Sequence, residues 1–187
     1  HVEITPITRA VSGTITDSNT GAALAGASVQ LKKGTADVGG AVTSGIGGAF
    51  TVGDAPLGAG YTLEANLAGY APGTSASFSV AGADVTGMDI ALLKLLSVSV
   101  SPNASFPAGK SGGARTVTIG RGIPADTLGV ASLGDVDMDG SALTQGEEFI
   151  ARDGSIVLTL SEAYLNTLRP GTHTLTARIA SGPYAGQ

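Results

Sequence analysis

The chain has 187 residues, with 29 Gly, 8 Pro, no Cys and a formal charge of −5. That length suits one or two domains, and the lack of Cys excludes disulfides and thiolate metal sites. Ten scattered Lys and Arg residues against fifteen acidic ones leave no basic field for a phosphate backbone, which excludes nucleic acid as a partner. Abundant Gly with many Thr, Val and Ala favours short strands and tight turns. The expected fold class is all-β, as two tandem β-sandwich domains of about a hundred residues each.

In chain order, Val11, Gly13 and Ile15 alternate with Ser12, Thr14 and Thr16, the period of a half-buried strand. The stretch from Asp17 to Gly21 carries turn chemistry, and Ala27, Val29 and Leu31 resume the alternation. An opening hairpin is therefore predicted. Residues 34–48 read as a turn-rich stretch, and 49–53 as a short strand with Phe50 and Val52 on one face. From Tyr61 to Leu67 the row Tyr61, Leu63, Ala65 and Leu67 opposes Thr62, Glu64 and Asn66, which fits a strand with one packed and one wet face. The glycines and proline of 69–73 break it. Strands over 75–80 and 86–93 follow, the second with Met88, Ile90 and Leu92 as its inward row.

The apolar run from Ile90 to Leu96 carries Lys94 and falls far short of the roughly 20 residues that span a bilayer; no membrane insertion is expected. At Leu96 to Ser101 a second strand pattern restarts with no Gly/Ser-rich or Pro-rich linker before it, so residues 1–95 and 96–187 are expected to be two abutting domains, as in a semi-rigid rod. Further strands are expected at 115–121, 147–151, 155–160 and 172–180. Residues 161–168 read instead as one or two helical turns, with Ser161 as N-cap and Tyr164, Leu165 and Leu168 facing inward. The chain starts at His1 with no signal pattern and stops at Gln187 with no anchor pattern, which reads as a piece of a longer protein. Its partners are then the flanking domains of that polypeptide.

Through Val11–Ile15, Thr20–Val29, Gly48–Phe50, Leu57–Gly58, Tyr61–Leu63 and Gly69–Tyr70, the first half resembles the carboxypeptidase regulatory-like family. The resemblance implies a transthyretin-like or starch-binding-like sandwich and an extracytoplasmic accessory module. Through Val98–Pro102, Met138–Leu143, Gly154–Leu160, Tyr164–Leu168 and Pro170–Thr176, the second half resembles the X-two type of carbohydrate-binding module. That family is immunoglobulin-like and occurs in bacterial cell-surface proteins; the resemblance implies cellulose or cell-wall binding, or a spacer. Some relatives of the first domain in pilins and adhesins join a first-strand Lys to a last-strand Asn covalently. Here those strands carry Ser12, Thr14 and Asp89, so no such cross-link is expected.

Little in the chain carries chemistry. Asp135, Asp137 and Asp139 begin like a calcium loop, but the closing Glu position falls on Gly146, and the stretch reads as a solvated acidic turn. Gly109–Ser111 lacks the upstream Gly of a phosphate loop, and Asn103–Ser105 is a formal glycosylation sequon. His173, the only internal histidine, occupies the corner position where immunoglobulin-like domains bond a side chain to nearby backbone. Glu147 and Glu148 point to opposite faces of a strand and do not form a catalytic carboxylate pair. With no Trp, sugar stacking falls to Tyr70 and Tyr184 as exposed candidates, and packing within their loops is the favoured reading of each. No catalytic residue, cofactor or resident metal is expected. The leading expectation is a non-catalytic spacer or presentation unit of a secreted or cell-surface bacterial protein, with polysaccharide or cell-wall binding as the alternative.

Overall fold

The computed structural model describes residues 6–101, 104–105, 112–122 and 126–186. Gly109–Ser111, Asn103 and His1 lie outside the described residues. The chain is nearly all-β and divides into two compact units, His1–Leu95 and Leu96–Gln187.

Unit 1 begins with β1 (Thr8–Asp17), β2 (Ser28–Lys33), β3 (Ala36–Thr43), β4 (Ala49–Pro56) and β5 (Gly58–Asn66). The short strands β6 (Gly73–Thr74), β7 (Phe78–Val80) and β8 (Ile90–Leu92) complete it. One sheet runs β4-β1-β8 and the other β3-β2-β5-β6, with β7 also on β5. Their inner faces share one core that includes Val11, Ile15, Val29, Leu31, Phe50 and Leu63. The alternation of β5 holds: Tyr61, Leu63 and Ala65 are buried while Thr62 and Glu64 are half-exposed.

The predicted opening hairpin is not formed. β1 pairs with β4 and β8, whereas β2 pairs with β3 and β5. The turn itself is present: Asp17 Oδ1 accepts from the Asn19 and Thr20 N–H groups at 2.8 and 3.1 Å, and Gly21 has φ +70°. After a single bridge between Thr16 and Ala23, the chain leaves β1 and crosses to the opposite sheet. Ser44, itself buried, fixes this crossing; its hydroxyl donates to the Leu24 carbonyl at 2.8 Å and accepts from the Ala27 N–H at 2.9 Å. Alternation reports which face of a strand is apolar and not which edge it pairs, and in a sandwich two consecutive strands can serve the same core from opposite layers.

Residues 34–48 hold an eight-residue strand, β3, where turns were predicted. β3 is an edge strand, mostly exposed, so it carries no apolar period to be read. Its register comes from a tight turn at Gly34 and a bulge between Val29 and Leu31, where the Gln30 side chain donates to the Leu31 and Val38 carbonyls.

Unit 2 contains β9 (Ser97–Ser101), β10 (Arg115–Gly120), β11 (Leu133–Met138), β12 (Ser141–Ala142), β13 (Phe149–Arg152), β14 (Ile156–Leu160), α1 (Glu162–Leu165) and β15 (Leu175–Ile179). Its sheets run β13-β14-β10-β9 and β12-β11-β15, the immunoglobulin-like arrangement of layers. The helical turn forms as expected, with Ser161 Oγ accepting from the Tyr164 N–H at 3.1 Å. Glu147 and Glu148 sit in a turn ahead of β13 and not in a strand. There Glu148 accepts from the Thr144 N–H at 2.5 Å, so turn geometry, and not strand alternation, sets their directions.

Two glycines of unit 1 are required by close approach. A methyl group on Gly13 would collide with the Met88 carbonyl, and one on Gly48, at φ +74°, with the Ile15 carbonyl. We expect Gly13→Ala to destabilise the chain by about 1–3 kcal/mol. Gly40→Ala, with nothing within 4 Å of its Cβ position, should stay within about 0.5 kcal/mol of the parent. Urea denaturation of both variants checks the pair; equal midpoints would contradict the packing described.

Candidate functional site

The polar clusters of unit 2 and the groove beside them hold most of the chain's chemistry. At the β11–β12 hairpin, Asp139 (φ +53°) and Gly140 (φ +81°) form a two-residue turn, the primed type that Asp-Gly favours. This turn aims Asp139 at the β15 entry. Asp139 Oδ1 accepts from the Thr174 N–H at 2.8 Å and Oδ2 meets His173 Nδ1 at 2.5 Å. On its other side His173 Nε2 donates to the Arg169 carbonyl at 2.7 Å, the corner bond expected of this position. The Asp139 carboxylate and then the Arg169 carbonyl, both acceptors, favour the protonated imidazole and raise the His173 pKa above 6.5, while His173 and the Thr174 N–H hold the Asp139 carboxyl below 3.8.

The other aspartates of the acidic stretch do not converge with it. Asp137 is buried on β11 and accepts from the Gly140 N–H at 3.1 Å and from Arg178 Nη1 at 3.2 Å; Asp135 is exposed. Alternation alone would line the three up on one face, but the register shift between Leu133 and Val136 and the positive φ of Asp139 in the turn break the row, and no three His, Cys, Asp or Glu side chains among the described residues are placed to hold a metal ion.

Sequence reasoning missed the pair formed by Arg121 and Asp126, which are 7% and 3% exposed. Asp126 Oδ1 accepts from Arg121 Nε and Nη2 at 2.8 and 2.6 Å and from the Leu128 N–H at 3.0 Å. Its Oδ2 accepts from the Arg121 N–H at 2.6 Å and the Ser155 hydroxyl at 3.2 Å. Burial works to raise the Asp126 carboxyl, but the Arg121 and Leu128 N–H groups and the guanidinium outweigh it and hold the pKa below its usual value. The only sequence signal is an opposite charge five residues after Arg121, just past the end of β10.

Neither aromatic candidate offers a free face. Tyr70 is partly buried against the core of unit 1, donates its hydroxyl to Asp17 Oδ2 at 3.1 Å, and has Lys94 Nζ 4.8 Å from its ring centre. Tyr184, expected to be exposed, is 2% exposed. The turn between Gly182 and Gly186, both at positive φ, takes the whole residue out of solvent.

Between β9 and β15 lies an apolar groove. A cavity of 570 Å³ there is lined by Val98, Val100, Val117, Met138, Leu165 and Leu175, with His173 at its rim. A second, of 330 Å³, continues along Ile119, Ala177 and Ile179. The groove holds no nucleophile beside a base, and both His173 nitrogens are engaged.

Residues 10–93 match the family model of the carboxypeptidase regulatory-like domain. No curated protein matches the chain. Among solved structures, a variant of BcpA, the major pilin subunit of Bacillus cereus, is similar at 15% identity and a TM-score of 0.46, over 97% of this chain and 61% of that one. The major pilin SpaD of Corynebacterium diphtheriae is similar at 13% identity and a TM-score of 0.44, over 91% and 55%. A DUF3823 family protein from Parabacteroides merdae is similar at 15% identity and a TM-score of 0.38, over 95% and 83%. The chain thus spans 55–61% of the length of these two pilin subunits.

Two predictions follow from the charged pairs. Asp126→Ala leaves a buried guanidinium without its carboxylate and should cost about 3–5 kcal/mol, part of which the double change to Met at Arg121 and Leu at Asp126 recovers. Chemical denaturation reads both; a loss below 1 kcal/mol would show the pair to be solvated. For the corner, the raised His173 pKa stabilises the fold fully below the free value of 6.5 and less as pH climbs through the folded value. The lowered Asp139 pKa stabilises it fully above 3.8 and less as pH falls through the folded value. Their joint contribution is therefore largest between these two values. His173→Gln should flatten the decline in melting temperature above pH 6.5; an unchanged slope would remove His173 from the cause.

Proposed function

We propose that the chain is a non-catalytic pair of β-sandwich modules that spaces or presents neighbouring domains of a secreted or cell-surface bacterial protein. The observation that carries this reading is the state of the titratable groups. His173, Asp139, Arg121, Asp126 and Asp17 each direct their polar atoms at backbone or at one another, whereas general acid–base work needs a group aimed into a pocket. The groove is lined by apolar side chains such as Val98, Val117 and Leu175 together with Arg115, Arg169, Thr172 and His173, and its lining includes no Phe, Tyr or Trp. No helix among the described residues is long and apolar enough to cross a membrane. The carboxypeptidase regulatory-like match over residues 10–93 is in keeping with an accessory role.

In the same reading, unit 2 is a module of the X-two carbohydrate-binding type that has kept the sandwich and works as a spacer. Glycan binding usually needs rings open to stack on sugar faces, and Tyr70 and Tyr184 are turned inward or engaged. Pull-down on cellulose, starch and peptidoglycan, followed by a glycan array, tests the proposal. The purified chain should be retained no better than an inert protein of similar charge; saturable retention on any of these polymers would replace the spacer by a binding module.

A further inference from the structure

A seven-strand immunoglobulin-like sandwich places its first, second, fifth and fourth strands in one sheet and its third, sixth and seventh in the other. In unit 2 the first sheet is complete as β9, β10, β14 and β13, but the second stops at β15, the sixth main strand, whose outer edge has no ladder partner among the described residues. β9 ends the facing sheet. Its Val98 and Val100 should point into a core by alternation, yet they are 65% and 37% exposed. They border the groove described above, whose two cavities share Val98, Val117 and Leu175 and so run together along β15.

The chain beyond β15 already turns into this edge. The Ala180 N–H donates to the Ser132 carbonyl, on the β11 side, at 2.8 Å. Strand alternation then directs the Ile179 carbonyl to the outer edge, where it accepts from the Gly186 N–H at 2.9 Å. Buried Tyr184 anchors the turn between them. Gly186, the end of a turn at φ +88°, is thereby set beside Ile179, and an antiparallel strand continuing from it takes the register with Gly186 opposite Ile179. Residues directly opposite in an antiparallel pair share a face, so the second and fourth positions beyond Gly186 fall opposite Ala177 and Leu175 and point into the groove.

We propose that this groove is the seat of a seventh β-strand, antiparallel to β15 and supplied in cis by polypeptide joined to Gly186, with apolar side chains at those two positions. A second copy of the chain is the weaker occupant, because the turn that carries Tyr184 covers one end of the edge and fixes the direction of pairing. The inference is independent of whether the modules space domains or bind glycan.

The test appends six residues after Gln187 in two phases. Val-Thr-Val-Thr-Val-Thr places Val opposite Ala177 and Leu175; Thr-Val-Thr-Val-Thr-Val has the same composition with Val turned outward. Amide hydrogen exchange at Leu175 and Ala177 should slow by about ten-fold or more in the first and remain as in the parent in the second. Val100→Asp should abolish the first effect while leaving the unextended chain folded, since the side chain is partly exposed there. Equal protection in both phases, or none in either, overturns the proposal. So does an unextended chain that sediments as a dimer with these amides already protected, which would assign the groove to a second copy.

Discussion

A charge taken out of water must be met by hydrogen bonds, an opposite charge or both, or it costs several kcal/mol, and this constraint acts in both units. Asp17, Asp126, Asp137, Arg115 and Arg121 are all buried or nearly so. Asp17 closes the turn after β1 and receives the Tyr70 hydroxyl. Asp126 closes the loop after β10 around the Arg121 guanidinium. Arg115 gathers the Gly112, Gly113 and Ser105 carbonyls. In each case a side chain with catalytic potential in another setting is used to hold an irregular segment whose backbone no sheet satisfies.

The same economy explains the corner at His173. The Asp-Gly hairpin turn brings a carboxylate to β15, and the loop after α1 brings a carbonyl; the imidazolium joins them. Three separate segments are thereby tied where the chain passes from helix to strand. An imidazole engaged at both nitrogens gives up one of its two hydrogen bonds when it loses its proton, so its chemistry is tied to its position.

What the sequence disclosed follows the same physics. Alternation located β1, β2, β5 and β14, because each has one face in a core and one in water. It could not assign partners, since β1 and β2 show the same period whether they pair edge to edge or sit in opposite layers. β3 was invisible because an exposed edge strand has no apolar face to betray it. The Ser161 cap and the Asp139-Gly140 turn were legible because their requirements are local. The Arg121–Asp126 pair was not, because burial of a charge depends on what covers it. Tyr184 was open to two readings, exposed near the end of the sequence or packed in its loop, and the turn between Gly182 and Gly186 realises the packed one.

The two units manage their sheet edges in different ways. In unit 1 the edge strand β3 carries a charge, Asp37, held 2.5 Å from Lys32 on the neighbouring β2, and a charge on an edge strand discourages further pairing. Unit 2 has no comparable guard along β9, whose outward residues are Ser97, Ser99 and Ser101 and whose inward row is Val98 and Val100. Full burial of a valine is worth about 1.5 kcal/mol or more, so two solvated valines in a sandwich interior forgo a meaningful part of the few kcal/mol that separate folded from unfolded small domains. An apolar row facing inward and left wet is unfavourable for an isolated unit and favourable for one that receives another strand. Since the Ile179 carbonyl on that side already accepts from the Gly186 N–H, the least costly way to dry the row is an antiparallel strand continuing from that turn.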